Sequence, residues 1–387
     1  MSVLIHVRRP AFVVAAAASA ALLAAAPAVA APNWTIVSSP NPSPALNGLD
    51  GVFARTATDA WAVGTFPGPN DDDGGVMLAE HWNGTAWTQT PTPNIFRFDE
   101  KLNAVSAASA TDVWAVGSQN KTGFKHTDPI AAHYDGTTWT IVPTPATTGG
   151  SKSILFGVVD FGGADAWAVG RSEGNRALIE HWNGTAWTIV PAPVPSVPAG
   201  ETFVGTTLNA ISARSATDIW ATGYTQSGKG TASNSYTLTM HYNGTTWTIV
   251  PSPNPAVRSP LNGVQQSLNG VVEISANDAW AVGNTVDTVS GAFQPNGPIA
   301  MHWNGTAWSL ATVPAGVTTR LAAVSANASG TVWADGDGTI LRFNGVSWAT
   351  ETVPGTPILK GIASVPGTAT EAFAGGSAAG PYVAHHQ

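Results

Sequence analysis

The sequence contains no cysteine and carries little charge. Its 387 residues include 16 Lys and Arg and 24 Asp and Glu, so that only 10% of them are charged. The absence of cysteine excludes a disulfide scaffold, a Cys-ligated zinc site and a thiol nucleophile. The hydrophobic share of 43% is too high for an intrinsically disordered chain. The protein must therefore fold around a core that is not held by covalent cross-links.

Long apolar runs are also scarce, and the clearest one lies near the first residue. Arg8 and Arg9 precede an apolar stretch, and Ala28-Val29-Ala30 has the small-x-small pattern of a cleavage site. We expect residues 1–30 to be a secretion signal peptide and the mature, extracellular chain to start at Ala31. Loss of the two arginines leaves 14 basic against 24 acidic residues. This acidic balance argues against nucleic acid as a partner, and no later segment is apolar enough for membrane insertion.

Glycine, proline and tryptophan are abundant instead. The chain has 41 Gly, 28 Pro and 16 Trp, which is typical of short aromatic strands separated by many turns. One Trp recurs six times, each time with a Leu twelve positions before it. These Trp residues are Trp61, Trp114, Trp167, Trp220, Trp280 and Trp333, and the Leu residues are Leu49, Leu102, Leu155, Leu208, Leu268 and Leu321. Internal repetition is therefore the strongest signal in the sequence.

Each copy of the repeat predicts four antiparallel strands. In the second copy Leu102 lies in the first segment, Trp114 in the second, His133 in the third and Trp139 in the fourth. Asp135-Gly136 separates the last two segments, and Asn-Gly takes its place in other copies. Such a pair predicts a type I′ hairpin in which both central residues have positive φ. Each copy is therefore expected to be a four-stranded meander.

Copies of roughly 50 residues with four strands match the blades of a β-propeller. The fourth-strand Trp occurs seven times, once more than the second-strand Trp: Trp34, Trp87, Trp139, Trp187, Trp247, Trp308 and Trp348. The first copy lacks the other three strands, and the last copy, with Phe373 in the Trp position, lacks its fourth strand. We therefore predict an all-β fold, a seven-bladed β-propeller over residues 31–387. Its last blade is expected to be closed by the mature N-terminal strand, Asn33 to Val37.

The repeat resembles a known group of proteins. Ser-Ala-Thr-Asp-x-Trp-Ala-Val-Gly, followed by His-Trp-Asn-Gly-Thr-Ala-Trp, is similar to the repeats of secreted bacterial propellers grouped loosely as BNR or Asp-box-like. The resemblance extends over nearly all of the mature chain. It implies a propeller fold, and it leaves function open because propellers include lectins, scaffolds, hydrolases and lyases.

The repeated Trp and His side chains are interpreted as structural, because a catalytic site needs one special position and not six equivalent ones. The repeated histidines are His81, His133, His181, His241, His302 and His385, and the repeated aspartates are Asp59, Asp112, Asp165, Asp218 and Asp278. Their arrangement resembles the Asp-His-Ser/Thr-Trp hydrogen-bond network of WD repeats. If the pairs form, each Asp should orient one imidazole where water is scarce. No catalytic residue and no cofactor are assigned.

Residues outside the repeat are the candidates for recognition. A meander places all tight turns on one face and all variable insertions on the other, and the insertions include the loops predicted at 224–235 and 284–297. Aromatic side chains on these insertions are candidate contacts. The predicted ligand-binding residues are Phe66, Phe96, Arg97, Phe98, Asp99, Phe124, Tyr224 and Phe293. The alternative is that these side chains cover blade edges. Asp71-Asp72-Asp73 offers oxygen ligands suited to Ca²⁺, but it lacks the spacing of a known calcium loop, and an exposed acidic run is the favoured interpretation.

Two functions fit these observations. The first is a secreted, monomeric, non-catalytic binding or scaffold protein that recognises a polysaccharide or a cell-surface protein through the variable loops. The alternative is a polysaccharide-active hydrolase or lyase with carboxylates at the channel mouth, since such pairs have no sequence signature. Unpaired carboxylates at that mouth would favour the enzyme.

Overall fold

A computed structural model describes residues 34–43, 47–68, 74–93, 99–121, 126–145, 152–230, 232–255, 263–289 and 292–387. The predicted signal peptide, residues 1–30, lies outside these ranges. The described residues form β-strands and turns without any helix, so none of them provides a membrane-spanning helix. The predicted all-β class is confirmed.

The strands fall into consecutive groups of four, which we call units. The first half of the chain contains β1 (Trp34–Val37), β2 (Gly48–Thr56), β3 (Asp59–Pro67), β4 (Gly75–Trp82), β5 (Trp87–Gln89), β6 (Asp99–Ser109), β7 (Asp112–Lys121), β8 (His126–Tyr134), β9 (Trp139–Val142), β10 (Ile154–Asp160), β11 (Ala166–Ser172), β12 (Arg176–Trp182) and β13 (Trp187–Ile189). The second half contains β14 (Thr202–Ser215), β15 (Asp218–Lys229), β16 (Ala232–Tyr242), β17 (Trp247–Val250), β18 (Val264–Ser275), β19 (Asp278–Val289), β20 (Ala292–Trp303), β21 (Trp308–Leu310), β22 (Leu321–Ala326), β23 (Val332–Gly336), β24 (Thr339–Phe343), β25 (Trp348–Glu351), β26 (Ile358–Ser364), β27 (Ala372–Ser377) and β28 (Pro381–His386).

Each unit is an antiparallel meander. Units 1 to 6 are β2–β5, β6–β9, β10–β13, β14–β17, β18–β21 and β22–β25, and unit 7 joins β26–β28 to β1. Units 4 and 5 share one eight-stranded sheet because a single parallel bridge, Ser235 to Gln265, links β16 to β18. The strand β1 pairs antiparallel with β28, with Trp34 opposite His386 and Val37 opposite Val383. The first strand of every unit contacts the first strands of the units before and after it, and β26 contacts β2.

The core consists of one aromatic cluster between each pair of neighbouring units. In these clusters, the Trp on the second strand lies between the His of its own unit and an aromatic ring on the third strand of the next unit. The Trp on the fourth strand of that next unit contacts it edge-on. Between units 1 and 2, Trp61 lies 4.5 Å from His81, 5.0 Å from Tyr134 and 5.5 Å from Trp139, measured between ring centroids. Fourteen of the 16 Trp side chains are buried, and Trp182 and Trp303 are half-buried. Because all are repeat positions, the structural interpretation of the Trp residues is confirmed.

The turns between third and fourth strands differ from the predicted type I′ hairpin. In unit 1 four residues, Asn83 to Ala86, separate the facing pair Trp82 and Trp87. Gly84 has φ of 93°, whereas Asn83 does not enter the positive-φ region. The Asn83 side chain instead accepts hydrogen bonds from the backbone N–H groups of Thr85 and Ala86, each at 3.0 Å. The Asn or Asp therefore occupies this position because its side chain caps the turn, and not because it tolerates a left-handed backbone conformation.

Two segments predicted as loops are strands. Residues 224–235 largely continue β15 and β16, and residues 284–297 largely continue β19 and β20. Residues 231, 290 and 291 lie outside the described residues. Thr and Ser dominate the first of these extensions, and such residues pair readily across strands. The hairpins of units 4 and 5 therefore rise above the variable-loop side, hereafter the loop face. The opposite side, with the tight turns, is hereafter the turn face.

Candidate binding site on the loop face

The first strands of all seven units line a central cavity of about 650 Å³. Every one of these strands has a β-bulge directly after its repeated Leu, opposite the repeated second-strand Gly. In unit 2 the register shifts between Leu102 and Ala104, opposite Gly117. A side-chain carbon at Gly117 would overlap the carbonyl oxygen of Lys101. Glycine is therefore required at this position, because the bulge brings the two backbones too close for any other residue.

The bulged residue is the one that varies among the units. These residues are Asp50, Asn103, Phe156, Asn209, Asn269, Ala322 and Lys360. The three Asn side chains donate to the carbonyl oxygen of the repeated Leu in the next unit, at 2.8 to 2.9 Å. The bulge therefore aims a polar side chain across the unit boundary at the loop-face end of the cavity.

Asp50 is the carboxylate at the mouth of this cavity, and two lysines neutralise it. Lys360 of unit 7 lies 2.7 Å and Lys101 of unit 2 lies 3.1 Å from Asp50 Oδ1. The Asp50 side chain is only 9% exposed, whereas the two lysines are about one-third exposed. The ion pairs therefore connect units 7, 1 and 2 and present cationic groups at the mouth.

The extended hairpins of units 4 and 5 form a wall beside the mouth. Ser235 Oγ donates to the carbonyl oxygen of Gln266 at 3.1 Å and accepts from its N–H at 3.0 Å. Asn234 Oδ1 accepts from the N–H of Val264 at 3.1 Å. These bonds connect the two hairpins, so the wall is one continuous part of the loop face.

Glu201 anchors the connection that leads into β14. Tyr236 Oη donates to both of its carboxylate oxygens, at 2.9 and 3.0 Å, and Ser227 and Asn234 also donate to it. Burial alone would raise the pKa of Glu201, but these hydrogen bonds stabilise the ionised form and lower it. Burial and the neighbouring carboxylate raise the pKa of Tyr236 to about 12. Tyr236 is therefore a hydrogen-bond donor at neutral pH and not a phenolate nucleophile.

Three of the predicted ligand-binding residues have described side chains on the loop face. Asp99 is exposed, and its Oδ1 accepts from the N–H of Gly75 at 2.9 Å, so that it also joins units 1 and 2. Phe66 is half-buried and packs on the core cluster between units 7 and 1. Tyr224 is half-buried on β15. Phe293 lies on β20, and its side chain is not among those described.

The remaining predicted contacts, Phe96, Arg97, Phe98 and Phe124, and the acidic run Asp71–Asp73 lie outside the described residues. Within the described part of the chain, no three or more His, Asp or Glu side chains are grouped as metal ligands.

The repeated histidines pair with acidic side chains of their own units. Five of them place Nε2 2.7 to 2.9 Å from Oδ1 of the repeated Asp, and their rings lie 4.4 to 4.7 Å from the second-strand Trp. The predicted Asp–His pairing is therefore confirmed. His385 has the same geometry with Glu371 at 2.9 Å and stacks on Phe373. In unit 6 Arg342 replaces His and lies over Trp333 at 5.0 Å.

Sequence reasoning missed several residues of this face. The bulged Asn residues gave no motif because their partners lie in other units. Glu201 gave none because its partners, Ser227, Asn234 and Tyr236, lie 26 to 35 residues later in unit 4. Glu371 of unit 7 was also missed, because it is a Glu where the other units have Asp. It lies two positions before Phe373, as each repeated Asp lies two positions before its Trp, and that spacing would have been sufficient to find it.

Comparisons with known proteins indicate the fold alone. No family model matches the sequence, and no curated protein matches it. Among solved structures, YCF48 bound to a peptide is 13% identical, with a TM-score of 0.56 and coverage of 91% of this chain and 94% of that one. Virginiamycin B lyase from Staphylococcus aureus, a catalytically inactive variant with quinupristin, is 12% identical, with a TM-score of 0.56 and coverage of 92% and 100%. An α-L-arabinanase from Penicillium chrysogenum complexed with arabinobiose is 11% identical, with a TM-score of 0.52 and coverage of 92% and 98%. The chain is therefore similar in structure to β-propeller proteins.

Proposed function

We propose that the protein is a secreted seven-bladed propeller whose ring is closed by β1. The pairing of β1 with β28 and the contact of β26 with β2 support closure. The proposal of export rests on the pattern of residues 1–30. The proposed kinship with Asp-box-like repeats rests on the sequence of the turns.

We further propose that the protein is a non-catalytic, monomeric binding protein that uses the loop face. The observation that carries this proposal is the state of three carboxylates there. Asp50 is neutralised by two lysines, Asp99 accepts a backbone N–H, and Glu201 is bound by Tyr236. A glycosidase requires two carboxyl groups free to act on one bond. These three are occupied in holding the fold.

The ligand is proposed to be a polysaccharide or a cell-surface protein that lies across the cavity mouth beside the wall. Exposed lysines at the mouth and the predicted aromatic contacts of the insertions, Phe96 to Phe98 above all, supply mixed polar and apolar contacts of the kind that bind such polymers. Similar propellers have been solved with a peptide and with a disaccharide.

The test is a glycan-array and surface-protein binding screen of the mature protein, with product analysis of each hit. We expect binding without product. The double variant Phe96→Ala and Phe98→Ala should weaken binding at least tenfold at an unchanged melting temperature, because loop contacts contribute little to the core. Thr245→Ala, on the turn face, is the control and should bind like the wild type. Release of shortened oligosaccharides would instead support the alternative, a polysaccharide hydrolase or lyase.

A further inference from the structure

A second cleft lies on the turn face, between units 5 and 6. Its volume is about 750 Å³, and the side chains that define it are Asp278, His302, Leu310, Val313, Phe343 and Val346. The cleft is remote from the proposed loop-face site, because the tight turns and the insertions are at opposite ends of the strands.

The rim of this cleft departs from the repeat in an exposed position. The residue after the Asn-Gly or Asp-Gly pair is Thr in five units, Thr85, Thr137, Thr185, Thr245 and Thr306, but Val346 in unit 6. The Val346 side chain is 88% exposed, and Leu310 on the facing rim is 48% exposed. Because an exposed Val contributes nothing to the core, two exposed apolar side chains that line one cleft indicate a contact surface.

The base of the cleft carries an acidic group without a cation. Asp59 and Asp218 are each paired with an arginine four residues earlier, Arg55 and Arg214. The corresponding residue before Asp278 is Ile274. Asp278 accepts from His302 at 2.9 Å, and its side chain is 39% exposed, against 8% for Asp59. The carboxylate of Asp278 is therefore open to a cation from outside the chain.

We propose that this cleft binds a basic, apolar segment of a partner protein. An Arg or Lys side chain of the partner pairs with Asp278, and the apolar residues beside it lie on Leu310 and Val346. A sugar is disfavoured because the Trp280 and Trp348 rings are buried and offer no open face for stacking. This inference does not depend on the proposed loop-face function.

The cleft between units 3 and 4 provides an internal control. It has a volume of about 570 Å³ and the same Trp and His positions, Trp167 and His181. Its Asp165 is also partly exposed, at 34%. Ile189 stands where unit 5 has Leu310 and is likewise 48% exposed, but Thr245 stands where unit 6 has Val346, so only one side of the rim is apolar. Charge with one apolar side chain would therefore act at both clefts, whereas charge with Val346 as well acts only at the first.

The experiment titrates the mature protein with an end-capped Leu-Arg-Leu-Arg peptide by calorimetry at low salt. We expect Asp278→Asn, which retains an acceptor for His302, to weaken binding at least tenfold, and Val346→Thr, which restores the repeat residue, to weaken it at least threefold. Asp165→Asn should have no effect. Melting curves of all three variants verify that they are folded.

A Leu-Gln-Leu-Gln peptide is the matched probe and should bind at least tenfold more weakly than the arginine peptide. Equal binding of the two peptides, equal losses from Asp165→Asn and Asp278→Asn, or no binding of the arginine peptide to the wild type would overturn the proposal.

Discussion

The position directly before the repeated His shows how a single side chain sets local stability. It holds Glu80, Ala132, Glu180, Met240, Met301, Leu341 and Ala384 in units 1, 2, 3, 4, 5, 6 and 7. Both Glu side chains are fully buried. Ser39 Oγ donates to Glu80 at 2.6 Å, whereas neither carboxylate oxygen of Glu180 has a partner. Burial raises the pKa of Glu80 to about 7, limited by the bond from Ser39, and that of Glu180 to about 8. Glu180 is therefore the less favourable residue.

Glu180→Met should stabilise the protein, because Met240 and Met301 occupy the same position fully buried. The pKa of the Glu180 carboxyl is higher in the folded than in the unfolded chain. The stability that the protonated carboxyl contributes is therefore fully present below about pH 4.5 and is lost as the pH rises through about 8. Urea unfolding should show a small difference between variant and wild type near pH 5 and one of a few kcal/mol near pH 9. The control Ala132→Gly should not change this pH dependence. A constant difference across that range would show that Glu180 does not titrate with folding.

At the scale of the element, the bulge in the first strand depends on the facing glycine. Gly117→Ala should destabilise the protein by at least about 2 kcal/mol, because the new carbon overlaps the Lys101 carbonyl oxygen and the strands must separate. Gly48→Ala is a matched control in a first strand, since its new carbon would meet only the Ser377 Cβ at 3.7 Å. Thermal unfolding of both variants measures the difference. Similar melting temperatures would contradict the role assigned to the bulge.

At the scale of the whole molecule, Trp34 connects the start of the described chain to two units. Its backbone pairs with β28, and its indole N–H donates to Glu351 of unit 6 at 2.8 Å. The ring meets Trp333 edge-on at 5.6 Å and is 3% exposed. Several equivalent Trp residues, such as Trp187 and Trp247, have no acceptor for the indole N–H. The strand that completes unit 7 is therefore held more firmly than its counterparts.

Trp34→Ala should lower the free energy of unfolding by about 3–5 kcal/mol, because it leaves a cavity at the junction of units 6 and 7. Ile36→Ala, on the same strand but 57% exposed, should change it by less than about 0.5 kcal/mol. Denaturant unfolding of both variants measures these differences. Equal effects would show that β1 does not close the ring.

The sequence by itself determined the repeat and most of its internal chemistry. Recurring positions share one environment, so the spacing of Leu, Trp and the turn residues was sufficient to predict four antiparallel strands and buried Trp rings. The Asp–His pairs were expected from the resemblance to WD repeats. The prediction of a type I′ turn was wrong and shows the limit of this reasoning. The Asn was explained by its tolerance of positive φ, whereas its side chain caps the turn.

Only the tertiary structure decided what lies between the units. The bridges from Asn103 and Lys360 and the cleft beside Asp278 join residues of neighbouring units. The hydrogen bonds to Glu201 join residues that are distant in the sequence of unit 4. The long hairpins of units 4 and 5 were also invisible, because polar residues that alternate along a strand resemble a loop until a neighbouring strand pairs with them. Contacts of this kind depend on which units become neighbours, and no local pattern contains that information.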